Sequence, residues 1–299
     1  SLADKVPFFE RYFPKWIKKL ISTTILFFAI TFFAQVVISS VNTITKSHQN
    51  YDENIELIIE KINMQFGIDT KSWVDNNIKN IEVGQLIKSL LDALSSIVGN
   101  AFMIILFAIF IFIEETNFQS KIKQLIDRSP DKFSKLNATL SKIEWSIARY
   151  LGIKTIVSLL TGILSFIILK IVGVHYAVFW AFLIFLLNFI PTIGSLLATI
   201  FPAVFCLLQF GEFTQCLMVF FIVGSIQVFI GNFLEPKWMG NSMNISPLIA
   251  IIALVFWGAI WGTTGMILSI PITVILIIIC SQFQSTKPIA MLLSEKGKI

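Results

Sequence analysis

The stretch that decides how this chain folds is LLNFIPTIGSLLATIFPA, Leu186 to Ala203. It is apolar enough for a bilayer, yet it gathers Asn188, Pro191, Thr192, Gly194 and Pro202. Proline removes a backbone N–H and blocks the carbonyl one turn earlier. In hydrocarbon no water replaces that bond, so broken backbone persists at membrane depth only where protein buries it or a water-filled cavity wets it. The flanking apolar runs, 176–190 and 195–210, are each about 24 Å as helices, short for a bilayer core about 30 Å thick. The stretch therefore predicts an interrupted pair of short helices with a cavity beside the break.

Composition agrees. Of 299 residues 56% are hydrophobic and 14% charged, against about 25% charged in a soluble domain, and the mean hydropathy is +0.81. The expected class is an all-α, polytopic membrane protein whose first partner is the lipid bilayer. The net charge of +5 comes without a basic, aromatic-interleaved cluster, so nucleic acid is not an expected partner. Cys206, Cys216 and Cys280 lie in or beside apolar runs and read as packing residues. His48 and His175 are far apart, and HExxH, CxxC, GxxxxGK[ST] and GxGxxG are all missing. No metal site, cofactor or catalytic residue can be named, and a nucleotide-driven pump lacks its minimum parts. Transport, if any, would run on a gradient of H+ or Na+.

Five regions follow from charge and periodicity. Residues 1–41 hold a basic segment with Lys15, Lys18 and Lys19, then a first span from Leu20 to Val41; retained cations put the N-terminal side in the cytoplasm. Residues 42–94 carry five Lys against eight Asp and Glu and are expected outside. Within them Ile55, Ile58, Ile59, Ile62 and Phe66 form an amphipathic helical stripe, 67–70 a turn, and Leu86, Leu90 and Leu94 a second stripe. Residues 95–152 hold a second span, Ser95 to Ile113, and a basic inner segment. There Ser129 and Pro130 open a helix whose Leu136, Leu140, Ile143 and Ile147 face is expected along the inner membrane surface. Residues 153–281 form the core, and 282–299 a cytoplasmic tail.

The core repeats its own design. After a third span, 153–172, and the opening pair comes a full-length span, Thr214 to Leu234, then a second short pair, 246–261 and 266–280, joined by GTTG. Each pair has a Gly/Thr tip and a proline in its second arm, Pro202 after Gly194 and Pro271 after Gly265. Paired interrupted segments in two halves point to a transport site near the midplane. If both pairs re-enter, their tips meet from opposite faces; the alternative is that each crosses twice as short tilted helices. On the intervening span Gly224, Gln227, Gly231 and Glu235 fall within about 80° of one another. That stripe serves close helix packing or lines a solute path, and Glu235 either handles an ion or ends its helix beside Lys237. Asn188 and Thr192 either satisfy carbonyls freed by Pro191 or face the solute. Trp257 and Trp261 are belt anchors or a gate beside Thr263 and Thr264.

The blocks NFIPTIGSLLATIFPAV, FLEPKWMGNSMNISPL and LVFWGAIWGTTGMILSIPIT resemble the signature regions of the autoinducer-2 exporter (AI-2E) family of bacterial membrane permeases. The resemblance is strongest over 151–280. It implies a multi-span protein of the bacterial inner membrane that forms a homo-oligomer, a pentamer, and that exports autoinducer-2 or exchanges Na+ for H+. Its motif positions here are Asn188, Pro191, Gly194 and Pro202; Glu235, Pro236, Gly240 and Pro247; and Trp257, Gly258, Trp261, Gly262, Gly265 and Pro271. Members usually begin with one or two further membrane segments, so a shorter member or a piece of a longer chain is expected. The functional expectation is a gradient-driven transporter of a small polar solute or cation. The competing expectations are a passive channel, which wants a charged ring that only Glu235 could supply, and a non-transporting membrane scaffold, which leaves the broken segments without a reason.

Overall fold

The structure, a computed structural model, describes Thr24, Phe28, Thr31, Gln35, Ser39, Asn54, Glu114, Lys121 and Gly297 together with 57–64, 130–240 and 245–295. Among these residues there are helices and turns and no strand. The expected second span, the stripe at Leu86 to Leu94, and Ser129 lie outside the described residues. Of the expected first span, five described positions are helical.

Contacts divide the chain into two compact units, one formed by Ser1–Ser120 with Cys206–Phe213 and the other by Lys121–Phe205 with Thr214–Ile299. In the first unit 57–64 is helical, with Ile58 buried, Ile59 and Ile62 half-buried, and Glu60 and Lys61 exposed, as the amphipathic stripe predicts. Asn54 Nδ2 donates to the carbonyls of Leu208 (3.0 Å) and Gln209 (2.9 Å). Lys61 Nζ donates to the Gly211 carbonyl at 3.0 Å. These are carbonyls at the end of a helix, which no following turn satisfies.

The second unit begins with α1, Pro130–Val172, 43 residues and so about 65 Å long. This corrects the expected surface helix followed by a separate third span from 153. The junction offers only Gly152, and one glycine costs a helix about 1 kcal/mol without breaking it; Thr155 Oγ1 also returns its hydrogen bond to the Leu151 carbonyl at 2.7 Å. Two faces divide the apolar part of α1. Lys154, Ser158, Thr161 and Ser165 are buried, while Ile156, Leu159, Ile163, Ile167 and Ile171 are exposed, a face left for lipid.

Helix α2, Ala177–Leu187, packs on α1, and there a Cβ at Gly162 would stand 3.1 Å from the Ala181 carbonyl oxygen, so glycine is what lets the two backbones approach. At 11 residues α2 is only about 16 Å long. Helix α3, Ile193–Phe210, follows with Pro202 fully buried inside it. Helix α4, Phe213–Phe229, runs through a π-helical turn, Ile230–Leu234, into the short α5, Glu235–Met239. Pro236 opens α5 and Gly240, at φ 54°, ends it.

The last long element, α6, Pro247–Ser281, starts with Pro247 in its first turn and is broken at Gly262 (φ 62°, ψ −142°), leaving two helical arms. Helix α7, Lys287–Leu293, packs on α6. Tyr150 of α1 clusters with Ile270, Val274 and Ile278 of the second arm, and Met239, Ile245 and Ala250 pack against them. Among the described residues four helices are long and apolar enough to cross a membrane: Ser134–Val172, Ile193–Phe210, Phe213–Met239 and the interrupted Pro247–Ser281.

Candidate functional site

Both interrupted pairs turn by one device. In the first, α2 ends at Asn188, Ile190 N–H donates to the Leu187 carbonyl at 2.9 Å, and Thr192 takes the left-handed conformation at φ 59°. Its carbonyl then accepts the Ser195 hydroxyl at 2.8 Å, and α3 begins. Gly194 is already helical. Its requirement is space, because a Cβ there would overlap the Leu187 carbonyl oxygen of the preceding arm. Thr192, not Gly194, thus takes the positive φ of the tip, and Gly194 permits the close approach.

In the second pair Gly262 carries the positive φ and Gly265 permits the approach, since a Cβ on it would overlap the Trp257 carbonyl oxygen. In an unbroken helix residues eight apart lie about 12 Å apart along the axis, so this contact means that the chain reverses. Gly258 closes the same gap, 3.0 Å from Met266 Cγ if given a Cβ.

Beside the first tip lies a cavity of about 890 Å³. The tip contributes Asn188, Pro191, Thr192 and Ser195, with Thr199 one turn further along α3. Helix α4 and the π-helical turn contribute Gly224, Ser225, Gln227, Gly231 and Asn232. Lys154 and Tyr150 enter from α1, Glu235 from the start of α5, and Ala250 and Ile270 from the two arms of α6. Gly224 faces α3, where an added Cβ would make ordinary contact with Thr199 Cγ2 at 3.4 Å.

The charged end of the cavity is an ion pair. Lys154 Nζ donates to Glu235 Oε1 at 2.5 Å, with side chains 9% and 19% exposed. The π-helical turn aims the carboxylate. In a continuous α-helix Glu235 would stand about 80° round from Gln227; absorbing one extra residue in a π-turn removes about 100°, which leaves the two within about 20°. Gln227 is buried, and its Nε2 has no hydrogen-bond partner among the described residues. Glu235 thus pairs with Lys154 rather than with its neighbour Lys237, which is exposed.

Of the residues read from sequence as a pathway, Asn188, Pro191, Thr192, Gln227 and Glu235 come together on this cavity. Gly194 buttresses the tip from behind. Trp257, Trp261, Thr263 and Thr264 do not line it: the two tryptophan rings lie against each other tilted by 32° with centroids 5.3 Å apart, and the threonines are exposed. Pro271 is buried inside the second arm, where Ser269 and Thr273 hydroxyls donate to the Met266 and Ser269 carbonyls. Sequence reasoning missed Lys154, Tyr150, Thr199 and Ser225. The signal for Lys154 was there, in the i, i+4, i+7, i+11 spacing of Lys154, Ser158, Thr161 and Ser165 through an otherwise apolar run.

A model of the AI-2E family transporter matches residues 5–285. The chain is 31% identical over 293 residues to a Haemophilus influenzae protein whose name assigns it to transport and gives no substrate, covering 96% of this chain and 84% of that one. It is 30% identical over 293 residues to the AI-2 transport protein TqsA of Escherichia coli, covering 95% and 83%.

Proposed function

The chain belongs to the AI-2E transporter family, and from that premise we propose that it carries a small polar solute through the cavity beside the first tip, driven by an ion gradient. What supports this reading is one observation: an otherwise apolar helical unit holds an open cavity of about 890 Å³ walled by Asn188, Thr192, Ser195, Gln227 and a partly buried Lys154–Glu235 pair. A membrane protein keeps such groups from lipid at a cost, and a path for solute is the usual return. Both pairs act as re-entrant hairpins in this reading, since an α2 of about 16 Å cannot cross hydrocarbon about 30 Å thick. Residues of both pairs line the cavity, and in this reading tilting one pair against the other opens it to one side at a time.

The proton is the coupling ion this site accepts most simply. Protonating Glu235 dissolves its pairing with Lys154, and that is a change of contacts a conformational change can follow. Autoinducer-2 is the first solute to test, because a relative 30% identical bears its name.

The test is uptake of autoinducer-2 and a panel of small polar solutes into proteoliposomes of purified protein, with a proton gradient, with a sodium gradient and with neither. Gradient-dependent uptake that Glu235→Gln uncouples supports the proposal. Flux indifferent to either gradient, with a steady conductance, would replace it with a passive channel. Silence across the panel would leave a scaffold.

A further inference from the structure

The ion pair that closes one end of the cavity also determines what the cavity rejects, and this inference rests on the transport reading of that cavity. Lys154 rises from α1, four residues before the buried Ser158; Glu235 comes from the first turn of α5. They meet at 2.5 Å, and among the described residues no other charged side chain lines the cavity. Among the described residues Tyr150 is the other titratable group on the same wall, and Lys237 is exposed and not part of it. With both members ionised, the charged end of the cavity sums to zero. Its remaining polar groups are amides and hydroxyls.

We propose that Lys154 is a specificity-determining residue that keeps inorganic cations out of this cavity by occupying Glu235, the only carboxylate among the described residues on its wall. A buried carboxylate without a partner is costly and attracts whatever cation can reach it. Here the partner is tethered, so its effective concentration exceeds that of any free ion of similar charge. A monovalent metal ion would have to displace an ammonium already in hydrogen-bond contact, while an uncharged polar solute would meet no such competition. A proton escapes the restriction because it neutralises the carboxylate rather than binding beside it. Removing either charge alone should therefore convert a neutral cavity into one that takes the opposite sign.

Ion-specific stabilisation of the purified full chain reads this directly, because a bound ion raises the thermal midpoint by mass action. Thermal unfolding is followed at constant ionic strength, titrating sodium against choline and nitrate against gluconate. The wild type should show no sodium-specific or nitrate-specific rise. Lys154→Gln should gain a saturable sodium response with an apparent affinity at least about tenfold above wild type. Glu235→Gln, which leaves the ammonium unpaired, should gain the nitrate response instead. Lys154→Gln/Glu235→Gln should lose both, and Lys154→Arg should behave as wild type. A sodium response in the wild type that Glu235→Gln abolishes would overturn the proposal, as would folded single variants that respond to neither ion. If Lys154→Gln does not survive purification, Glu235→Gln carries the decision alone. Solute flux plays no part in this readout, so a failed ion response and a failed transport reading are told apart.

Discussion

Gly194 and Gly262 stand at equivalent turns and need glycine for different reasons. At Gly194 the backbone is helical and the obstacle is the Leu187 carbonyl; at Gly262 the surroundings are open and the obstacle is a φ of 62°. Substitutions should separate the two. Gly194→Ala should lower stability by about 1–3 kcal/mol, because the overlapped atom is backbone and both arms must shift. Gly262→Asn should be costly and Gly262→Val more so, since φ 62° with ψ −142° lies outside the left-handed helical region that asparagine tolerates and is entered readily by glycine alone. Thermal unfolding in detergent checks the order, and a Gly194→Ala protein as stable as wild type would remove the close-approach argument. The motif was legible as a tip, but the strained residue was not. A sequence rule assigns positive φ to glycine, and tertiary packing gave it instead to Thr192, a β-branched residue that pays for the conformation with strain.

At the level of elements, the end of α3 is capped from a distance. Asn54 and Lys61 between them satisfy the carbonyls of Leu208, Gln209 and Gly211, and the lysine charge also suits the negative end of a helix. Asn54→Ala should cost about 1–2 kcal/mol and raise hydrogen exchange at 209–213, where amides follow the freed carbonyls. Unchanged exchange there would mean that water replaces the amide without loss. Periodicity made the helix at 57–64 legible, because burial on one face leaves a repeating trace. It could not reveal the cap, since a hydrogen bond across 154 positions leaves none. The same limit hid the Lys154–Glu235 pair, although each of its helices carried a polar stripe. What a stripe faces is decided by packing.

For the molecule as a whole, the repeated tip shows that the resemblance between the two halves of the core is physical as well as compositional. Each has a left-handed residue, then a glycine pressed on the preceding arm, then a buried proline in the second arm. The course of α1 was less legible, because amphipathic and fully apolar patterns joined without a breaker at Gly152. An α1 of about 65 Å exceeds a hydrocarbon core of about 30 Å, so its basic first half should stand clear of the bilayer on the cytoplasmic side. On a cysteine-free background, cysteines at Lys71 and Lys132 should react with an impermeant thiol reagent from opposite faces of the membrane. Labelling of both from one face would reject the orientation that charge asymmetry implies.

The π-helical turn at Ile230–Leu234 makes the protein tolerant of one particular change in its own length. Such a turn amounts to a single inserted residue that the helix has absorbed. Deleting one residue from these five would let α4 continue as an ordinary α-helix with its hydrogen bonds complete. Seven steps of about 100° would then separate Gln227 from the carboxylate, which leaves it facing Lys154 as the π-turn does now. Straightening the turn at unchanged length is the damaging change, because Glu235 would swing round by about 100° although every charged residue remained in the chain. A lesion of that kind removes no functional group and still disarms the site, so inspecting the residue inventory alone would never find it.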